Sequence, residues 1–171
     1  MACSGAHAPG SVTSTEDLGF DGFFARHHDD IVRALAVTLG DDHLGRDAAA
    51  EGFARALDRW NRVAGYDNPA GWVYRVGLNW ARSRRRKTVR EVALSARRTS
   101  DEPHQPPRDH DPRLVPALRR LSVDHRAVIV GKFYFDWSEA QLADALGIKA
   151  GTVKSRLSRA LAELATELGE R

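Results

Sequence analysis

Residues Thr99–Pro112, TSDEPHQPPRDHDP, hold four of the chain's seven prolines and no aliphatic side chain. Proline removes a backbone donor and clashes with the preceding helical turn, and a stretch without apolar side chains has nothing to place in a core. This segment therefore reads as an extended, flexible tether, and whatever folds must fold on either side of it. The 171 residues then divide into two segments of small-domain size. We expect a loose tail over residues 1–19, a helical domain over 20–95, the linker over 96–112 and a second helical domain over 113–171.

Apolar residues on both sides of the tether recur at three and four, the helical period, and no segment sustains strand alternation. The expected fold is all-α. Phe20, Phe24, Ile31, Leu35 and Leu39 form one stripe of a long first helix, ended by Gly40-Asp41-Asp42. Ala49, Phe53, Leu57 and Trp60 form the stripe of a second, with Asp47 as its expected N-cap. A loop over Asn61–Asp67 follows. Asn68-Pro69 then opens a third helix, an Asn cap with proline at the first helical position. Its expected apolar side is Val73, Val76 and Trp80.

Composition limits what such a chain does. At 42% hydrophobic and 29% charged residues it can build a core, so wholesale disorder is excluded. No apolar run approaches the ~20 residues that span a bilayer, so no membrane insertion is expected. The N-terminus shows neither a charged start nor an apolar run, and we expect no secretory leader. One cysteine, Cys3, rules out a disulfide framework or a Cys-rich zinc site and favours a reducing cytoplasm.

The net charge is only +3, but six of the nine positions from Arg82 to Arg90 are basic. The segment 91–111, by contrast, carries five acids against three bases. Clustered cations of this kind suit a polyanion, although charge runs are commonly no more than solvated helix faces. On the third helix Arg75, Asn79, Arg82 and Arg86 are spaced four, three and four apart and share one face, with Trp72 nearly in line. Cations neutralise phosphates, asparagine pairs bidentately with a base edge, and an aromatic ring stacks on an unpaired base. That face is suited to hold a locally opened strand. Trp80 reads as core; Trp72 stays open between core and base stacking.

The C-terminal segment carries a helix-turn-helix pattern. Ser138-Glu139-Ala140-Gln141 has capping-box spacing; Leu142, Ala143 and Leu146 face inward; Gly147 supplies the turn. Val153, Leu157, Leu161, Leu164 and Leu168 stripe the last helix, and Leu114, Leu118, Leu121, Val128, Ile129 and Phe133 supply the helices beneath. The outward side of its first turns, Thr152, Lys154, Ser155, Arg156 and Arg159, combines short hydroxyls with long cations where a recognition helix meets the major groove.

The stretch LGIKAGTVKSRLSRALAEL (Leu146–Leu164) resembles the region 4 helix-turn-helix of bacterial RNA polymerase sigma factors, and NPAGWVYRVGLNWARSRRRK (Asn68–Lys87) resembles their region 2. DAAAEGFARALDRW (Asp47–Trp60) is similar to the preceding region 2 helix. With only a tether between them, the layout resembles that of the extracytoplasmic-function (ECF) sigma factors. The resemblance implies a promoter-specificity subunit of core RNA polymerase, held on the β′ coiled coil and the β flap. Asp47, Glu51, Phe53 and Ala54 would dock on the coiled coil. Trp60, Trp72, Arg75 and Asn79 would melt and hold the promoter −10 element, with Arg82, Arg84, Arg85 and Arg86 on its backbone. Thr152, Lys154, Ser155, Arg156 and Arg159 would read the −35 element, and an anti-sigma factor is a further implied partner. Two departures stand out. Ala48, Ala49 and Ala50 thin the docking helix where the family commonly has a glutamine, and Gly77-Leu78-Asn79 replaces Ala-Arg-Asn, removing one cation.

A stand-alone helix-turn-helix regulator is the alternative. An enzyme is not expected, nor a metal or cofactor: His27 and His28, adjacent on a helix, point about 100° apart, and Asp109-His110-Asp111 falls in the tether, where preorganisation is poor.

Overall fold

A computed structural model describes residues 19–92 and 112–169. The expected tail over 1–18 and the body of the expected linker lie outside them. Every regular element among the described residues is helical, in the order α1 (Phe20–Leu39), α2 (Asp42–Asp58), α3 (Trp60–Val63), α4 (Pro69–Val92), α5 (Leu114–Arg120), α6 (Val123–Ile129), a π-helical turn (Val130–Tyr134), α7 (Glu139–Leu146) and α8 (Ala150–Leu168). No helix among these residues is long and apolar enough to cross a membrane.

Local chemistry sets most boundaries. α1 ends where Gly40 takes φ 67°, a left-handed conformation that costs a side-chain-bearing residue dearly. The Asp41 carboxylate then accepts from the Leu44 N–H at 2.8 Å and caps α2. Asp47, the expected cap, lies one turn inside: Gly40 and Asp41 already form a C-cap and N-cap pair, and these two residues alone join the two helices. Asn61–Asp67 is likewise not all loop, since Trp60–Val63 closes a short helix before the Asn68 Oδ1 accepts from Gly71 N–H at 2.7 Å and starts α4.

The first core joins α1, α2 and α4 through small residues. A Cβ on Gly45 would lie 2.6 Å from Ala36 Cα, one on Gly77 2.5 Å from the Ala48 carbonyl oxygen, and one on Gly52 2.7 Å from the Val73 carbonyl oxygen. The backbones touch, so each of these positions is fit only for glycine. Ala48 and Ala49 are fully buried in the same seam and therefore do not thin any docking surface; only Ala50 is exposed there. The buried face of α4 is accordingly Val73, Tyr74, Leu78 and Ala81, not Val73, Val76 and Trp80. On α1 and α2 the stripe positions Phe24 and Leu57 stay exposed, while Phe23 and Ala56 fill the core.

The C-terminal helices pack onto this bundle through Tyr74. Its ring is fully buried and meets Phe135 and Trp137 edge-on, with centroids at 5.9 and 5.7 Å. Those two stack on each other at 4.5 Å. Its hydroxyl is hydrogen-bonded to the Thr38 hydroxyl at 2.7 Å, and burial pushes the phenol well above the ordinary tyrosine pKa. Phe133, expected in the core, is 63% exposed, because the π-helical turn rotates it outward while Val130 and Gly131 point in.

Two outcomes follow for stability. Gly77→Ala gains about 1 kcal/mol of helix propensity, but a methyl against an immovable backbone carbonyl costs at the upper end of the ~1–3 kcal/mol for overpacking. A net loss of about 1–2 kcal/mol in urea unfolding is expected. The His27 ring packs on Phe23 at 4.9 Å, and burial, with Arg26 adding to it, holds its pKa below 6.5. A group depressed in this way favours the folded state above its unfolded pKa and loses that contribution as pH falls through the folded value. Stability should therefore decline on acidification below about pH 6.5, and His27→Gln should flatten that decline in melts taken across the range.

Candidate nucleic-acid interface

The outward perimeter of α4 carries the expected strand-binding residues, but the fold uses them unequally. Asn79 is exposed with Trp72 half-buried on the turns before it. Beside Trp72 lies Tyr66, ring centroids 6.4 Å apart, so the edge at the start of α4 is a pair of aromatic rings. Tyr66 escaped the sequence reading because it falls in an irregular turn with no period to mark it. Trp60 belongs to a different cluster, edge-on to Phe20 at 5.4 Å and against Phe23 at 4.8 Å.

The arginine run divides in the same way. Arg84 lies over the Trp80 ring at 5.2 Å and Arg86 donates to Ser83 Oγ at 3.1 Å, both facing solvent. Arg85 turns inward and donates to the Leu39 carbonyl at 2.8 Å, where a cation meets the negative end of α1. Arg82 is ion-paired with Asp124 of α6, and Arg75 donates to the Asp144 carbonyl of α7 at 3.0 Å. The arrangement thus presents Trp72, Asn79, Arg84 and Arg86 directly, while Arg75 and Arg82 are held by the C-terminal helices.

On α2, Asp47, Glu51 and Ala54 line one shallow depression together with Ala50, Trp80 and Arg84. Glu51 is paired with Arg55 at 2.7 Å. Phe53 is only 3% exposed, packed between Phe23 and Phe24. Its ring seats the helix against α1.

The helix-turn-helix forms as its pattern predicts. Gln141 N–H donates to Ser138 Oγ at 3.2 Å, and Ser138 N–H to Gln141 Oε1 at 2.9 Å. Gly147 adopts φ 64° and the Ile148 N–H returns to the Ala143 carbonyl at 3.0 Å, closing a Schellman-type stop. In α8, Lys154, Ser155 and Arg159 are exposed, while Thr152 and Arg156 are half-buried. Ser155 Oγ donates to the Thr152 carbonyl at 3.2 Å, and Arg159 Nε to the Ser155 carbonyl at 3.2 Å. The hydroxyls and guanidinium are therefore already gathered on one turn. Arg156 Nη1 lies 3.7 Å from Asp124 Oδ2.

Comparisons with known proteins give the chain's family and fold relatives. Residues 113–164 match the family described as Sigma-70, region 4. The chain is 35% identical over 144 residues to the ECF RNA polymerase sigma factor SigL of Mycobacterium tuberculosis, covering 80% of this chain and 81% of that protein. It is 32% identical over 162 residues to the RNA polymerase sigma-E factor of Streptomyces antibioticus, 91% and 88% covered. Among solved structures, the sigma factor RpoE of Bartonella quintana, crystallised with the anti-sigma factor NepR, superposes with a TM-score of 0.78. At 22% identity over 88% of this chain and 96% of that one, this likeness speaks for the fold.

A left-handed residue with a Cβ costs about 1–2 kcal/mol. Gly147→Ala should lower unfolding stability by about that much in thermal or urea denaturation, whereas Gly151→Ala, with open space around the added methyl, should leave it unchanged or slightly raised.

Proposed function

Since the chain belongs to the ECF RNA polymerase sigma factors, we propose that it binds core RNA polymerase and directs promoter-specific initiation, with α4 and the turns before it opening and holding the −10 element and α8 reading the −35 element. The observation that carries this division of labour is the pairing of two unlike faces in one chain. One is a helix with an exposed asparagine between arginines and beside two aromatic rings; the other is a helix-turn-helix with hydroxyls and cations on its leading turns. The first suits unstacked bases, the second the edges of a duplex groove. Residues 20–95 and 113–171 are then the two functional domains, and 96–112 the linker between them.

The shallow depression of Asp47, Ala50, Glu51 and Ala54 is the proposed seat for the β′ coiled coil, with the helix-turn-helix domain on the β flap. Phosphate contacts supply salt-dependent affinity blind to sequence, while each base contact adds about 1–3 kcal/mol of discrimination. Neither face alone makes many contacts. Core polymerase fixes their spacing and turns two weak contacts into one strong one by effective concentration. An anti-sigma factor is the further partner proposed. Its seat is the apolar groove of about 440 Å³ walled by Val37, Leu114, Leu118, Ile129, Phe133 and Leu161, since Phe133 and Leu161 are otherwise left exposed.

Run-off transcription with core polymerase, this protein and upstream fragments of its own genome tests the reading. Defined transcripts are expected, reduced at least tenfold by Asn79→Ala or Arg159→Ala. The free protein should show little specific promoter binding in gel shifts. Tight, specific binding without polymerase, and no transcripts with it, would make the chain a stand-alone regulator.

A further inference from the structure

Asp124 lies in the first turn of α6, far in sequence from both DNA-binding faces, yet its carboxylate is shared between them. One oxygen pairs with Arg82 of α4, and the other lies 3.7 Å from Arg156 of α8. Among the described ion pairs it is the one carboxylate that joins a cation of the proposed −10 face to a cation of the proposed −35 face. Both arginines are partly accessible, with side chains 32% and 24% exposed, so solvent and polyanions reach them.

Neighbouring contacts close the same seam. Arg75 donates to the Asp144 carbonyl at the end of α7. Ala145 of that helix sits so close to Gly71 that a Cβ there would lie 3.1 Å from its methyl. The leading helix of the helix-turn-helix therefore lies along α4 beside its cations.

The geometry points to Asp124 as a positioning residue, a phosphate surrogate that, added to the buried Tyr74 contacts, biases the two DNA-binding faces towards the closed form until they are drawn apart on polymerase and promoter DNA. The inference rests on the functional reading above and adds to it how the free protein is held. A guanidinium makes its charge-assisted bonds with a carboxylate or with a phosphate, and the two compete for the same donors. Two arginines on one carboxylate are within about 10 Å of each other, whereas elements centred about 25 base pairs apart lie about 85 Å apart on duplex DNA at 3.4 Å per pair. The latched form cannot engage both. Half-exposed ion pairs are weak and screened by salt, so the latch biases the closed form only several-fold, a bias that a row of phosphates overcomes.

The test uses the full chain with Cys3→Ser and spin labels at Ser83→Cys and Ser158→Cys, both exposed positions. The distance distribution between labels is read beside the binding of a fluorescent single-stranded oligonucleotide. The parent protein should give a mainly short distance at 50 mM salt, with a longer component that grows several-fold at 500 mM. Asp124→Asn should raise the longer-distance population several-fold already at low salt and bind the oligonucleotide three- to tenfold more tightly. Asp124→Glu, which keeps the charge, should restore the parent's distance distribution together with its salt response, which a packing role for Asp124 would not produce. An Asp124→Asn protein with the parent's distance and affinity overturns the latch. Should that variant fail to fold, a salt series on the labelled parent that leaves its distance unchanged overturns it equally. Run-off transcription in parallel separates the two claims: transcripts with an unresponsive distance sink the latch alone, while no transcripts at all sink the functional reading on which the latch rests.

Discussion

Three helices whose backbones touch are the constraint from which the rest of the structure follows. Most helix pairs keep their axes 8–10 Å apart because side chains intervene. Here Gly45 on Ala36, Gly77 on Ala48 and Gly52 on Val73 leave no room for a single methyl. Dispersion and burial in such a seam come from backbone atoms and from Ala48, Ala49 and Ala56, with Leu35 and Val73 packed directly beside them. The consequence for α4 is economy of perimeter. A narrow strip of Val73, Gly77, Leu78 and Ala81 suffices to anchor it, and the remaining turns are free to carry arginines, an asparagine and tryptophans. The replacement Gly77-Leu78-Asn79 belongs to the same logic: Gly77 and Leu78 lie in the seam, with Asn79 the first residue beyond it.

Tyr74 extends this anchor to the second half of the molecule. A phenol buried with its hydroxyl on Thr38 would be costly without that partner. Its ring supports Phe135 and Trp137, which follow the π-helical turn and lead into the helix-turn-helix. The helix that carries the strand-binding face thus also seats the motif that carries the groove-reading face. The contacts of α4 with α7 and with the aromatic pair before it determine where α7 lies.

How much of this was legible in the sequence depended on range. Features decided within four residues could be read directly: the Asn68-Pro69 start of α4, the Ser138 and Gln141 capping box, and the Gly147 turn each carry their own chemistry. Where a helix started ahead of its apolar stripe, the reading slipped: Asp47 is the expected cap of α2, but the left-handed Gly40 ends α1 early enough for Asp41 to cap α2 one turn sooner. Periodicity located the helices but misjudged their rotation. Small residues carry little weight in an apolar stripe, so Gly77 and Ala81 were invisible as core positions, and Trp80 and Val76 stood in for them. The site was legible as composition and illegible as geometry. That Arg84 and Arg86 face outward while Arg85 caps α1 depends on where α1 ends, and the role of Asp124 depends on three helices at once.

The arginine run also shows why counting cations misstates affinity for a polyanion. Of the four arginines from Arg82 to Arg86, one neutralises a helix terminus and one an internal carboxylate, and neither is free for phosphate in this arrangement. A cation already compensated contributes only the difference between its present partner and the phosphate, which for an exposed pair is small and for a half-buried cap such as Arg85 smaller still. Effective DNA charge is therefore a property of conformation rather than of sequence. With a net charge of only +3, releasing Arg82 and Arg156 from their one shared carboxylate redistributes a sizeable share of the charge that α4 and α8 can offer a polyanion. A protein built in this way is tuned less by substituting cations than by controlling what occupies them.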